Sequence, residues 1–185
     1  MFGQRKSSNP TGMQTFISVK EAREIIAEAV PVLTSETVPL REAAGRILAE
    51  DARSDGPIPP FANSAMDGFA VRVSDFGAAG SRLRVVGEIR AGDGRLREVQ
   101  PGTCLRIMTG ALFPDGADAV APIEWTREEG EFVHIDRSPA EGQHVRRAGQ
   151  DVASGDTVMR GGDRIGIGGI GILASIGTGN VRVYR

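Results

Sequence analysis

Lysine is nearly missing from this sequence: Lys6 and Lys20 are the only two, and the other cationic side chains are almost all arginine. A Walker-type phosphate lysine or a Schiff-base lysine in the body of the chain is thereby excluded. Cysteine is limited to Cys104, so no internal disulfide can form, and its place in the apolar-flanked run TCLRIM predicts a core residue rather than a nucleophile. The histidines are His134 and His144, and neither has a second histidine or cysteine at zinc-ligand spacing. No GxSxG elbow supports Ser64 or Ser175 as a hydrolase nucleophile. One tryptophan, one tyrosine, a net charge of −2 and a pI near 5.8 leave neither a stacking platform nor a basic face, so no nucleic-acid partner is expected. No run is long and apolar enough to span a bilayer, and the leader at residues 1–14 lacks a signal peptide's hydrophobic centre. These absences predict a cytoplasmic protein with no membrane association, a flexible leader and a reducing compartment.

A length of 185 residues suits one domain or two small ones. Ser18 and Glu21 have capping-box spacing, and Val19, Ala22, Ile25, Ile26 and Ala29 recur at helical intervals until Pro31, which predicts a helix over Val19 to Val30. Its apolar stripe predicts core packing, or in a two-fold assembly a face for a partner. A shorter helix fits Leu40 to Ala44, closed by Gly45. Beyond Asp55 the texture turns to short β-rich runs: Phe69 to Val73, Leu83 to Ile89, Cys104 to Met108, Ala119 to Ile123 and Glu131 to Ile135. A helix near Ile170 to Ser175, stopped by Gly177, and a strand Val181 to Tyr184 complete an α+β pattern. The run GIGGIG, Gly166 to Gly171, formally meets the dinucleotide fingerprint, but no confident strand precedes it and no acidic partner follows about 20 residues on. It reads as a glycine-rich approach to the helix.

The stretch PPFANSAMDGFAV, Pro59 to Val71, places a compact polar cluster between prolines and an apolar strand. Pro57, Pro59 and Pro60 fix φ and favour an extended entry, so Asn63, Ser64 and Asp67 sit on a stiff loop, and Gly68 allows a turn into Phe69. Two readings follow. In one, Asp67 and Ser64 satisfy backbone groups at a loop-to-strand corner. In the other, a rigidly displayed carboxylate holds a hydrated cation or orients a polar ligand. Asp151 also neighbours glycine and hydrogen-bonding residues, and two such carboxylates together can clamp magnesium. The adjacent Arg146 and Arg147 read either as a solvated surface pair or as forked donors for oxyanions.

Three runs in order, LREAAGRILAEDARSDGPIPPFANSAMDGFAV, LRIMTGALFPDGADAVAPIE and EGQHVRRAGQDVASGDTV, resemble the MoeA/gephyrin E-domain family of molybdopterin molybdenumtransferases. The resemblance covers most of the chain from about Ser18 to Arg185. It implies molybdenum cofactor biosynthesis, in which molybdate replaces the adenylyl group of adenylylated molybdopterin and AMP is released. It implies catalytic roles for Asp67, Thr109 and Asp151, with Mg2+ held by Asp67 and Asp151. Asn63, Ser64, Arg146 and Arg147 would serve the substrate, the arginines matching molybdate and pyrophosphate charge. The implied fold is elongated and homodimeric. Residues 15–54 and 152–185 would form one discontinuous linker and dimerisation domain, with residues 55–151 inserted as a small β-rich domain. Ala62, Phe69 and Gln150 stand where the family more often has aspartate, tyrosine and glutamate. The family's molybdopterin-binding α/β domain and C-terminal β domain are not in this sequence, so the isolated chain is expected to be inactive. The alternative is a noncatalytic dimerisation or scaffold module of the same fold.

Overall fold

The structure is a computed structural model that describes residues 17–77 and 80–185; the predicted leader lies outside the described residues. The chain opens with α1 (Val19–Ala29), whose N-terminus is closed by the predicted capping box. The Glu21 amide donates to Ser18 Oγ at 3.2 Å, and the Ser18 amide donates to Glu21 Oε2 at 2.8 Å. Strand β1 (Ser35–Pro39) runs into a single 3-10 turn at Leu40–Glu42 rather than the predicted longer helix. Pro39 precedes that turn and Gly45, at φ 80°, ends the segment in the left-handed region, so only one turn fits between them.

Then come β2 (Ala52–Arg53), β3 (Asn63–Ser64), β4 (Gly68–Val71), β5 (Ser81–Ile89), β6 (Thr103–Ile107), β7 (Ala119–Pro122), β8 (Thr126–Glu129) and β9 (Phe132–Ile135). Short strands β10 (Val145–Arg146) and β11 (Thr157–Met159), helix α2 (Ile167–Ser175) and strand β12 (Asn180–Tyr184) finish the chain. Six strands form one sheet in the order β7-β4-β6-β5-β9-β8, antiparallel throughout except for the parallel pair β5 and β6. The other strands pair two by two: β1 with β12, β2 with β11 and β3 with β10. The result is a mixed α/β chain with few helices.

Alternation places opposite faces of the large sheet into two buried clusters. Phe69, Val71, Leu83, Cys104, Ala119, Ala121, Val133 and Ile135 fill one face. Ala70, Ile89, Leu105, Ile107 and Val120 fill the other, with Val99 and Ala111 from loops. Leu83 and Ile89 have the same parity in β5 yet belong to different faces, because the pairing with β6 shifts register between Val85 and Glu88. Cys104 is fully buried as predicted, and burial pushes its thiol up to about 12, far from a reactive thiolate.

A third cluster joins Ala43 and Leu48 to Ile165, Leu173, Val181 and Val183, bringing the early and late parts of the chain together. The β1–β12 and β2–β11 pairs run alongside it. Two expectations are corrected here. The glycines at 168, 169 and 171 lie inside α2 rather than in a loop before it, because Ile170 and Leu173 seat the helix on this cluster. A Cβ at Gly169 would come 3.0 Å from Met159 Sδ, so the missing side chain permits a close approach that offsets glycine's poor helix propensity. The apolar stripe of α1, predicted to pack in the core, is exposed instead: Val19, Ile25 and Ile26 are 78%, 50% and 62% accessible. The structure contains no buried residue in α1.

Candidate functional site

The proline segment 57–60 leads the chain into β3, and the Ile58–Pro59 peptide is cis. Strand β3 is the hinge point of the site, because both neighbouring segments attach to it. On one side Asn63 and Ser64 pair with Arg146 and Val145 of β10. On the other, the Gly110 amide donates to the Ser64 carbonyl at 2.8 Å and the Ser64 amide donates to the Ala111 carbonyl at 3.1 Å. The turn after β6, which carries Thr109, is thus fixed against the turn that carries Asp67.

That second turn is pinned at each of its three residues. The Ala65 amide donates to the His144 carbonyl at 2.9 Å, and the Ile123 amide donates to the Asp67 carbonyl at 3.0 Å. Between them, Ser64 Oγ donates to the Met66 carbonyl at 2.6 Å and accepts from the Met66 amide at 3.3 Å. The exposed Asp67 carboxylate is then aimed at Thr109, whose amide and hydroxyl both donate to Oδ1 at 2.7 Å. The backbone donor first, and the hydroxyl second, hold the Asp67 carboxyl below the usual aspartate range. Among the described residues Oδ2 has no hydrogen-bond partner. The first reading is what the contacts show: Ser64 bonds the Met66 backbone and Asp67 accepts from the Thr109 amide, while the second Asp67 oxygen stays open.

A depressed pKa means that the stability contributed by ionised Asp67 is present above the ordinary aspartate pKa and is lost as pH falls through the lowered one. Thr109→Val keeps the backbone donor and removes the hydroxyl. Its expected outcome, read by NMR titration of the Asp67 carboxyl, is a midpoint raised from the wild-type value but still below the ordinary range. A midpoint that does not move would show that the hydroxyl carries no part of the clamp.

The other predicted residues gather on the far side of β3. The Asp151 amide donates to the Ile58 carbonyl at 2.9 Å and the Gly149 amide to the Pro59 carbonyl at 2.9 Å, so this turn is stapled to the proline segment. The Asp151 carboxylate is paired with the Arg146 guanidinium. Gln150 Oε1 accepts from the Arg147 amide at 3.0 Å. Among the described residues the Arg147 side chain is exposed and makes no ion pair. Asn63 is 5% exposed and its Oδ1 is buried without a partner. The two carboxylates of the expected metal pair therefore meet different partners, Thr109 and Arg146. Among the described residues no cluster of three or more His, Cys, Asp or Glu side chains has metal-binding geometry.

Three features of this corner escaped the sequence reading: the backbone grip of His144, the grip of Ile123, and Trp125 beside them. Trp125 lies half-buried, outside the three buried clusters. Phe113, by contrast, packs on the second cluster. No periodicity marks His144 or Trp125, since their role comes from contacts between distant segments.

Residues 17–177 match the family described as the MoeA N-terminal region (domain I and II). Molybdopterin molybdenumtransferase 2 of Mycobacterium tuberculosis (strain ATCC 25618 / H37Rv) is 38% identical over 170 residues, 90% of this chain and 42% of the relative. Molybdopterin molybdenumtransferase of Haemophilus influenzae is 39% identical over 171 residues, 91% of this chain and 42% of the relative. The crystal structure of the molybdopterin biosynthesis moeA protein from Pyrococcus horikoshii OT3 superposes with a TM-score of 0.85 at 34% identity, covering 92% of this chain and 46% of that one. This chain thus spans less than half the length of the relatives it matches. By the extent of the match and the shared fold, the chain belongs to the MoeA N-terminal region family.

Proposed function

We propose that this chain is the N-terminal part of a cytoplasmic, homodimeric molybdopterin molybdenumtransferase, acting in molybdenum cofactor biosynthesis. The reaction exchanges the adenylyl group of adenylylated molybdopterin for molybdate and releases AMP. The observation that carries this reading is the double donation from Thr109 to Asp67, which keeps a carboxylate ionised with one oxygen open at the surface. An oxygen donor of that kind fits magnesium, which takes one or two carboxylates and completes its shell with water and substrate phosphate. Asp67, through its open oxygen, would hold the ion, which would neutralise charge on the leaving phosphate, and Asp151 would join it only on exchanging its Arg146 partner for the metal.

The remaining assignments divide by what each side chain is free to do. Arg147 is available to an oxyanion, whereas Arg146 orients Asp151. Asn63 and Ser64, both buried, support the turns rather than reach a ligand directly. The division into a discontinuous domain of residues 15–54 and 152–185 and an inserted domain of residues 55–151 accords with the pairing of β1 with β12 and β2 with β11. In an enzyme that carries this region, AMP release from adenylylated molybdopterin is expected to require both molybdate and a divalent cation. Release at full rate without molybdate would end this reading.

The exposed apolar face of α1 supports the second reading, a noncatalytic dimerisation or scaffold module. A stable dimer by light scattering, with no binding of molybdopterin or magnesium, would favour it.

A further inference from the structure

The turn that aims Asp67 is gripped from two directions, and the two grips touch each other. One is the His144 carbonyl, which accepts from the Ala65 amide. His144 is the one non-glycine residue among those described with a positive φ, at 58°, a conformation that turns the carbonyl toward Ala65 just before Val145 enters β10. The other is the Ile123 amide, which donates to the Asp67 carbonyl from the first residue of a 3-10 turn, Ile123–Trp125. That turn is closed by Thr126, whose hydroxyl donates to the Ile123 carbonyl at 2.8 Å.

Trp125 and His144 meet edge to face, with ring centroids 5.9 Å apart and planes at 68°, within the favourable range for such pairs. The Arg137 guanidinium lies 3.7 Å from the Trp125 ring centroid and holds the indole in place. Gln143 Nε2 lies 3.3 Å from His144 Nε2. None of these side chains belongs to the three buried clusters, so the ring contact is not part of the core.

We infer that Trp125 and His144 are positioning residues, whose ring contact locks the two grips on residues 65–67 and so keeps the Asp67 carboxylate on Thr109. The inference rests on the proposed role of Asp67 for its functional meaning, but the geometry itself is testable without substrate. Its signature is the Thr109 amide, which donates to a carboxylate and is therefore expected to resonate downfield and to exchange slowly. In the 185-residue chain, Trp125→Ala is expected to move that resonance upfield and to speed exchange at Thr109 and Ala65 by about tenfold, with exchange at Leu105 and Val133 unchanged.

Trp125→Phe, which retains an aromatic edge, should restore both readings. His144→Gly keeps the backbone grip and removes only the ring, and should reproduce the Trp125→Ala effect at Thr109. If Trp125→Ala does not fold, His144→Gly decides alone. An unmoved Thr109 amide in a folded His144→Gly or Trp125→Ala chain overturns the inference. Because no turnover is measured, that result leaves the proposed reaction standing, and a failed AMP-release assay leaves the positioning result standing.

Discussion

Replacing Asp67 by asparagine in an enzyme that carries this region is expected to cut molybdate-dependent AMP release by about a hundredfold or more, with the fold intact. Asparagine is nearly the same shape, and its carbonyl oxygen can still accept from the Thr109 amide and hydroxyl that reach Asp67 Oδ1. What disappears is the negative charge and the second carboxylate oxygen. A group that holds charge at a reacting phosphate contributes roughly 3 kcal/mol or more, which is the origin of the hundredfold figure. Asp67 is exposed and among the described residues its carboxylate pairs with no arginine, so thermal unfolding should barely change. Wild-type turnover of the variant at saturating magnesium would rule out the assigned role. A loss of turnover that tracks a loss of folded protein would also fail to support it.

The next residue gives the opposite result, a large loss of stability without any chemistry. Gly68→Ala is expected to destabilise the chain by about 3 kcal/mol or more, the upper part of the range for overpacking. For a chain of this size that corresponds to a melting temperature lower by about 6–12 °C. A Cβ at Gly68 would sit 2.1 Å from the Ala121 carbonyl oxygen, 2.9 Å from its carbon and 3.0 Å from the Pro122 Cα. All three atoms are backbone of β7, which pairs with β4 through Gly68 opposite Pro122, so no side-chain rotation can relieve the clash. The strands must separate where Ala121, Val120 and Ala119 are fully buried. Differential scanning calorimetry checks this directly. A melting temperature within about 2 °C of wild type would mean that β7 shifts freely at this edge.

The contrast between these neighbours shows which parts of the site were legible beforehand. Proline and glycine flanks, with Asn63, Ser64 and Asp67 between them, marked a rigid polar corner from local chemistry alone. The capping box of α1 and the buried strands were equally plain, because both rest on short-range patterns. The partner of Asp67 was not legible, since Thr109 lies 42 positions away and its approach depends on β4 and β6 being neighbours. Thr109 entered only through resemblance to a family. The pairing of Arg146 with Asp151 was missed for a related reason: adjacent arginines give no sign of which one turns back onto its own loop.

The fold shows the same division. Strand β8, Thr126–Glu129, carries charge at three of its four positions and is not among the predicted strands, yet it completes the sheet edge by pairing with β9. Its Arg127 faces His134, and Glu128 pairs with Arg106, so solvent-facing charges supply the side-chain contacts that apolar residues supply elsewhere. The stripe on α1 failed in the other direction. Periodicity correctly gave the helix and its one-sided character, but it cannot say what covers that side.

The register shift in β5 reaches further than its own strand. Before it, the strand feeds the cluster of Leu83; after it, Ile89 belongs to the opposite face and its carbonyl accepts from the Met108 amide, immediately before Thr109. One strand therefore does two jobs on either side of its shift: its first half fills the interior under Leu83, and its last residue holds the backbone from which the Thr109 turn begins. The polar corner at Asp67 is moored to the packed sheet through that single carbonyl as well as through β4 and β6.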